Sequence, residues 1–159
     1  MDQIEHEATD ALENLRDLAR GIYPPLLADQ GLAVALSAQA RKSPIPVAVD
    51  ADGIGRYPQE QEAAVYFSTL EALQNVAKYA GATRAEVRLG EEDGDLVFEV
   101  ADDGRGFDPS VTSFGTGLQG IADRLSALGG AVEIRSAPGR GTTVLGRLPA
   151  PRSVAAPAT

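Results

Sequence analysis

Residues 83–102, TRAEVRLGEEDGDLVFEVAD, alternate apolar and polar side chains on both sides of a turn that is rich in Gly and Asp. Such alternation is typical of strands with one buried and one solvated face, and the short turn predicts an antiparallel hairpin. The buried face would carry Val87 on the first strand, and Phe98 and Val100 on the second. The pattern therefore predicts a sheet that other elements cover on one face.

Further periodic segments surround this hairpin in the sequence. Apolar residues recur at helical spacing in four segments, residues 4–20, 31–43, 59–80 and 117–128. Strand-like patterns occupy residues 45–51 and, as a strand, turn and strand, residues 129–149. We therefore predict an α/β fold, a two-layer sandwich in which helices cover one face of a mixed, mainly antiparallel sheet.

Composition narrows the class of protein. The chain has 159 residues, of which 43% are hydrophobic, and this suits one globular domain with a modest core. The absence of cysteine excludes disulfides and cysteine-based zinc sites, and the net charge of −9 argues against general binding to nucleic acid. No stretch has the length and apolarity of a membrane span, and the acidic start lacks the features of a signal peptide. We expect a cytoplasmic domain without membrane contact.

The second strand of the hairpin runs into two aspartates and two glycines, in the stretch EVADDGRGFD. Asp102 is in phase with the buried residues of its strand, whereas Asp103 points to the opposite face and is predicted to be a solvated turn residue. A carboxylate on the apolar side is unfavourable unless a protein or ligand group donates hydrogen bonds to it. Gly104 and Gly106 permit a close approach of the backbone, which a plain turn or a ligand pocket would equally use.

The helix predicted over residues 59–80 carries a polar stripe. Glu71, Asn75 and Lys78 project from one side, and they form either a solvated face or a site where hard oxygen ligands for Mg²⁺ lie near an ammonium group for phosphate. The predicted core face of this helix consists of Ala64, Phe67, Leu70, Leu73 and Ala77.

A glycine-rich stretch, GTGLQGIADRL, opens the helix that follows. Gly115, Gly117 and Gly120 precede or begin a helix whose first N–H groups could bind an anion. The glycines could equally serve packing between a loop and a helix. The spacing also matches a dinucleotide-binding pattern, but no buried strand precedes it and no acidic residue follows at the required distance, so we reject that interpretation.

Four segments together resemble the catalytic ATP-binding domain of sensor histidine kinases, within the superfamily of gyrase, chaperone, histidine kinase and mismatch-repair ATPases. EALQN with AKYA resembles its asparagine box, DDGRGF and GTGLQG resemble its two glycine boxes, and GRGTTV resembles its last threonine-bearing strand. The resemblance covers most of residues 22–149 and implies a Bergerat-type fold. Residues 15–36 further resemble the junction after the second dimerisation helix in the nitrate-sensor-like branch. Tyr79 departs from the family, in which many members have histidine there.

The resemblance implies roles for these residues. Asp102 would accept a hydrogen bond from the adenine amino group of ATP, and Gly104 and Gly106 would let the backbone pass the base and begin a mobile lid over residues 107–116. Thr142 or Thr143 would support the same end of the nucleotide.

The resemblance assigns the other end of ATP to the second group of residues. Asn75 would coordinate Mg²⁺, with Glu71 as a further metal ligand and as a base or polarising group. Lys78 would contact phosphate, and backbone amides around Gly115, Gly117 and Leu118 would cradle the phosphates.

The implied activity is phosphoryl transfer from Mg-ATP to a histidine on a dimerisation domain. We expect residues 1–21 to be a remnant of the second dimerisation helix, residues 22–149 the ATP-binding domain and residues 150–159 a flexible tail. His6 is the only histidine, and since it precedes a single helix before the junction we expect it to be a solvated residue rather than the phosphoacceptor, which would be missing from this chain. The expected partners are that phosphoacceptor domain and a response regulator. An anti-sigma-factor-like serine kinase and a nucleotide-binding regulatory module without catalysis are the alternatives.

Overall fold

The computed structural model describes residues 24–108 and 116–151. The predictions for the first helix and its His6, for Gly115, for most of the lid and for the tail lie outside these residues. The elements, in chain order, are α1 (Pro25–Gln30), α2 (Leu32–Ala40), β1 (Val47–Asp50), α3 (Gln59–Asn75) with a π-helical turn (Val76–Ala80), β2 (Ala85–Glu92), β3 (Asp95–Asp102), α4 (Thr116–Ser126), β4 (Ala131–Ser136) and β5 (Thr142–Pro149).

The strands form one sheet in the order β1-β2-β3-β5-β4. β1 pairs with β2 in parallel, and the other neighbouring strands pair antiparallel. The register places Val87 opposite Val100, and Val100 opposite Val144, so that one apolar row crosses the centre of the sheet. The predicted mixed, mainly antiparallel sheet is confirmed.

The helices bury the apolar face of this sheet. Its strands contribute fully or almost fully buried side chains such as Val87, Phe98 and Leu148, and the helices contribute Val65 and Ile121. Each fully buried side chain of this size contributes about 1.5–3 kcal/mol of transfer free energy. The opposite face carries exposed ion pairs, and the predicted two-layer sandwich is therefore confirmed. Within the described part of the chain no helix has the length and apolarity to cross a membrane.

The buried face of α3 matches the predicted one only in part. Ala64 is buried as expected, but Phe67, Leu70 and Leu73 are only partly buried and Ala77 is exposed. The residues that are buried instead lie one or two positions away and include polar ones; they are Glu62, Val65, Tyr66, Ser68, Thr69 and Ala72. The partly buried residues pack at the edge of the core, where Leu70 and Leu73 line a shallow groove beside the end of α2 and Phe67 lies under Arg124 of α4.

The helical segment continues to residue 80 as predicted, but its end is not α-helical. Val76–Ala80 form a π-helical turn, and Gly81 then adopts a left-handed conformation with φ of 61°. A π-turn changes the angular spacing of the side chains that follow it, and such turns are frequent at functional sites. Lys78, in the predicted polar stripe, lies within this turn.

An ion pair with a buried carboxylate joins α3 to the loop before it, and the arginine of this pair also holds α1. The Glu62 side chain is buried, and its carboxylate accepts hydrogen bonds from Arg56 Nε at 3.0 Å, from Arg56 Nη2 at 3.2 Å and from the Tyr57 amide at 3.2 Å. The Arg56 guanidinium also donates to the Ala28 carbonyl oxygen at 3.0 Å. The end of α1, the loop before α3 and the first turn of α3 are thereby held together.

Replacing Gly146 by Ala is expected to destabilise the fold by about 1–3 kcal/mol through overpacking of the core. A Cβ atom on Gly146 would lie 2.2 Å from a ring carbon of Phe98, its cross-strand partner, and 3.0 Å from Leu125 Cδ1. Gly90→Ala is the matched control in β2, since its Cβ would meet no atom within 4 Å. Urea unfolding measures both variants, and an equal effect of the two would contradict this packing.

Candidate functional site

A cavity of about 550 Å³ lies between α3, its π-turn, β3, β5 and the start of α4. The predicted site residues that line it are Glu71, Asn75, Lys78, Asp102, Gly106, Gly117, Leu118 and Thr142. Four segments that are far apart in the sequence therefore meet around one space.

Sequence reasoning missed most of the apolar walls of this cavity. Val76, Val100 and Val144 line it together with Ala72, Gln74 and Phe107. Val100 and Val144 have the alternation of ordinary core residues, and only their position at the ends of paired strands, next to Asp102 and Thr142, distinguishes them. Apolar walls with a few convergent polar groups are typical of small-molecule sites.

Asp102 occupies the position that its strand phase predicts. Its side chain is partly buried at the cavity, and Oδ1 accepts a hydrogen bond from the Gly104 amide at 2.8 Å. Burial raises the pKa of Asp102, while backbone hydrogen bonds with Gly104 and Thr142 act in the opposite direction. Gly104 is buried beneath the carboxylate, so that it orients Asp102 rather than lining the cavity.

Asp103 is exposed, as predicted, but it has specific partners. Its carboxylate accepts hydrogen bonds from the amides of Thr83 and Arg84, at 2.8 and 3.1 Å, and from the Thr83 hydroxyl. These hydrogen bonds lower the pKa of Asp103 to about 2, with the Thr83 hydroxyl as the largest cause. Asp103 thereby ties the end of β3 to the segment that enters β2.

The lowered pKa of Asp103 makes a prediction for acid stability. Since the folded pKa of about 2 lies below the ordinary value near 3.9, the carboxylate stabilises the fold above about pH 4, and this contribution is lost as the pH falls through 2. We expect Asp103→Asn to lower the Tm at pH 6 and to show a smaller fall in Tm between pH 4 and pH 2 than the wild type.

The matched control is Asp52→Asn, at an exposed aspartate in the loop after β1. It should keep the wild-type fall in Tm at low pH. If the Tm of Asp103→Asn fell as much between pH 4 and pH 2 as that of the wild type, the lowered pKa of Asp103 would be contradicted.

The glycines at the start of α4 bring that helix against the polar stripe of α3. A Cβ atom on Gly117 would lie 3.3 Å from both Oδ1 and Nδ2 of Asn75, and one on Gly120 would lie 3.2 Å from Glu71 Oε2. Gly120 thus has the packing role, whereas Gly117 and Leu118 also line the cavity. The first N–H groups of α4 have no partner within their helix, so the helix start that borders the cavity is suited to an anion.

Glu71 has a basic neighbour that sequence reasoning missed. Its Oε2 is buried and has no hydrogen-bond partner among the described residues, and Arg124 Nη1 lies 3.8 Å from it. The Arg124 guanidinium lies 6.0 Å from the centre of the Phe67 ring, within the range of a cation–π contact. Burial raises the pKa of Glu71, and the charge of Arg124 opposes that rise. Arg124 is the only basic residue of α4, which is the one sequence signal that could have found it.

The structure distinguishes the two threonines of the last strand. Thr142 lines the cavity and pairs with Asp102 across the strands, whereas Thr143 pairs with Ala101 and is not among the lining residues. The turn before Thr142 requires glycine. Gly141 has a φ of 73°, and a Cβ atom there would lie 2.1 Å from the Asp102 carbonyl oxygen.

Gly106, which packs against the same β4–β5 turn, also has a positive φ and no room for a Cβ atom. It has a φ of 63°, and its Cβ would lie 2.1 Å from the Ala137 carbonyl oxygen. The backbone that follows Asp102 therefore packs directly on the β4–β5 turn, as close approach by glycine permits.

Comparison with known proteins identifies similar sequences and a matching family. A family model described as histidine kinase-, DNA gyrase B-, and HSP90-like ATPase matches residues 60–152. Sensor histidine kinase NarS of Mycobacterium tuberculosis is 35% identical over 153 residues, which cover 89% of this chain and 35% of NarS. Signal transduction histidine-protein kinase/phosphatase DegS of Brevibacillus brevis is 30% identical over 160 residues, which cover 88% of this chain and 42% of DegS.

A solved structure agrees with these relatives. Full-length ShkA in complex with AMPPNP is 26% identical, with a TM-score of 0.60, over 78% of this chain and 29% of that chain. The chain spans less than half the length of each of these proteins. Since the family model covers more than half of the sequence and the fold agrees, the chain belongs to the histidine kinase-, DNA gyrase B-, and HSP90-like ATPase family.

Proposed function

We propose that this chain is the ATP-binding catalytic domain of a two-component sensor histidine kinase. The single observation that carries the proposal is that one cavity joins Asp102, Asn75, Lys78 and the start of α4. The relatives NarS and DegS are named as histidine kinases, and ShkA was solved with AMPPNP, which supports the same kind of ligand here.

The adenine end of the nucleotide would lie against β3 and β5. Asp102 is an acceptor held in place by the Gly104 amide, and it would receive the amino group of adenine. Val100 and Val144 offer apolar surface to the base, and Gly106 leaves space beside it. Thr142 is the threonine whose position supports a contact at this end; the prediction for Thr143 has no such support.

The phosphates would lie at the other end of the cavity. Lys78 supplies a positive charge, and the α4 start at Gly117 and Leu118 supplies backbone N–H groups that have no partner within the helix. Such local groups are needed because the chain as a whole carries a net charge of −9. We keep Gly115 and a lid over residues 107–116 as predictions.

The chemistry of Asn75 and Glu71 fits Mg²⁺. Both residues line the cavity, an amide oxygen and a carboxylate are hard ligands, and Glu71 Oε2 has no hydrogen-bond partner among the described residues. The described residues contain no cluster of three His, Cys, Asp or Glu side chains, so the protein would supply only a few ligands. Mg²⁺ commonly takes its other ligands from water and phosphate oxygens, and it would neutralise phosphate charge here.

The proposed reaction is transfer of the γ-phosphoryl group to a histidine of a partner dimerisation domain, from which a response regulator would receive it. The protein contributes mainly by positioning the groups and stabilising charge. Burial raises the pKa of Glu71, and its Oε2 has no hydrogen-bond partner among the described residues, which suits a base that accepts the imidazole proton. The division into residues 1–21, 22–149 and 150–159, and the effect of Tyr79, stay predictions.

Asn75→Asp is expected to change the Mg²⁺ dependence of ATP binding. The substitution adds a charge and removes the amide donor at a side chain that lines the cavity beside Gly117, while a near-octahedral ion tolerates few changes in its ligands. Calorimetric titrations with ATP, with and without Mg²⁺, measure the effect. An unchanged ratio of the two affinities would contradict the assignment of Asn75.

Phosphoryl transfer is tested with γ-labelled ATP. The chain is incubated alone and with a separately supplied dimerisation and phosphoacceptor domain, and we expect acid-labile label on the supplied domain only. His6→Ala should leave ATP binding unchanged. Label on His6 of the chain alone would contradict the proposal, alkali-labile phosphoserine on a partner would favour the serine kinase, and ATP binding without transfer would favour the regulatory module.

A further inference from the structure

The last residue of β4, Ser136, contacts three groups behind the cavity. Its Oγ accepts a hydrogen bond from the Phe107 amide at 2.8 Å and donates to the Gly141 carbonyl oxygen at 3.0 Å. It also lies 2.8 Å from Oγ1 of Thr142, its cross-strand partner. Ser136 itself is not among the residues that line the cavity.

The direction of the bond between the two hydroxyls follows from counting protons. A serine hydroxyl has one proton to donate. The carbonyl oxygen of Gly141 can only accept, so it receives that proton, and the amide of Phe107 can only donate. Thr142 must therefore donate to Ser136, and its Oγ1 then offers only lone pairs to the cavity.

Asp102 is a second hydrogen-bond acceptor beside the Thr142 hydroxyl. An ionised carboxylate is also an acceptor only, and Asp102 faces Thr142 directly across the strands. The cavity end formed by β3 and β5 thus carries two side-chain acceptors. A ligand that places a donor there is stabilised, whereas one that places a carbonyl oxygen there leaves acceptors facing each other and unpaired.

We propose that Ser136 is a specificity-determining positioning residue, which fixes the Thr142 hydroxyl as an acceptor and thereby selects nucleotides whose base carries an exocyclic amino group over those with a carbonyl group in its place. This inference rests on the proposed nucleotide-binding function. It goes beyond that function because it assigns the selectivity to a residue that does not touch the ligand.

ATP and inosine triphosphate (ITP) form the test pair, since ITP carries a carbonyl group where ATP has the amino group. Calorimetry with Mg²⁺ gives the two affinities and their ratio. We expect the wild type to prefer ATP by about tenfold to a hundredfold. Ser136→Ala frees the Thr142 proton to point into the cavity, so the preference should fall by about threefold to tenfold. Ser136→Thr keeps a hydroxyl and should keep the preference.

Thr142→Val separates selectivity from a structural role of Ser136. Thr142→Val should lower the preference, and Ser136→Ala should then have no further effect on it in the double variant. If Ser136→Ala weakens ATP and ITP equally, so that the ratio of their affinities is unchanged, the inference is overturned. If Ser136→Ala does not fold, an unchanged ratio in Thr142→Val overturns it instead. If the wild type binds neither nucleotide, the proposed function itself fails; if it binds ATP and only the ratios disagree, the inference alone fails.

Discussion

Arg56→Met is expected to lower the free energy of unfolding by about 3 kcal/mol, at the lower end of the range for breaking a buried ion pair. The Glu62 side chain is only 3% exposed, and without Arg56 its carboxylate would stay buried with no counter-ion. The value lies at the lower end because the Arg56 side chain is 44% exposed. The variant also loses the hydrogen bond to the Ala28 carbonyl oxygen, which anchors α1.

Urea unfolding of four proteins isolates this effect. Arg56→Met is compared with the wild type, with the double variant Arg56→Met/Glu62→Gln and with Arg135→Met. The double variant should recover part of the lost stability, because the neutral glutamine removes the buried charge. Arg135→Met breaks the exposed pair with Glu133 and should cost less than about 1 kcal/mol. A loss in Arg56→Met no greater than in Arg135→Met would refute the buried-pair interpretation.

The sequence was most informative where the periodicity of a strand or helix determines the face on which a side chain lies. The period of a strand predicted that Asp102 faces the core side and Asp103 the other, and both lie as expected. Spacing on one helix predicted that Glu71, Asn75 and Lys78 share a side, and all three line the cavity.

Features that depend on tertiary packing could not be predicted from one segment. The core face of α3 was predicted only in part, because Phe67 packs at the edge of the core and contacts Arg124, while Thr69 is polar yet fully buried. The Glu71–Arg124 pair and the hydrogen bonds of Ser136 join residues on different elements. No local pattern in the sequence encodes such pairs.

Asp102→Asn is expected to weaken ATP binding roughly tenfold to a hundredfold, as for loss of a hydrogen bond of about 1.5–3 kcal/mol to a charged group. The amide is both donor and acceptor, whereas the carboxylate at the cavity accepts only. The Gly104 amide, now 2.8 Å from Oδ1, would still fix the side chain, so the loss should appear in binding rather than in folding. Equal Tm values for the variant and the wild type would confirm that separation.

Calorimetric titration of the wild type, Asp102→Asn and Asp103→Asn with ATP and Mg²⁺ tests the central claim most directly. The two aspartates are adjacent in sequence, but only Asp102 lines the cavity, while Asp103 binds Thr83 and Arg84 outside it. We predict one ATP per chain, an affinity tenfold to a hundredfold lower in Asp102→Asn, and wild-type affinity in Asp103→Asn at neutral pH. Absence of ATP binding by the wild type, or equal losses in the two variants, would contradict the claim that this cavity is an ATP site with Asp102 at the base.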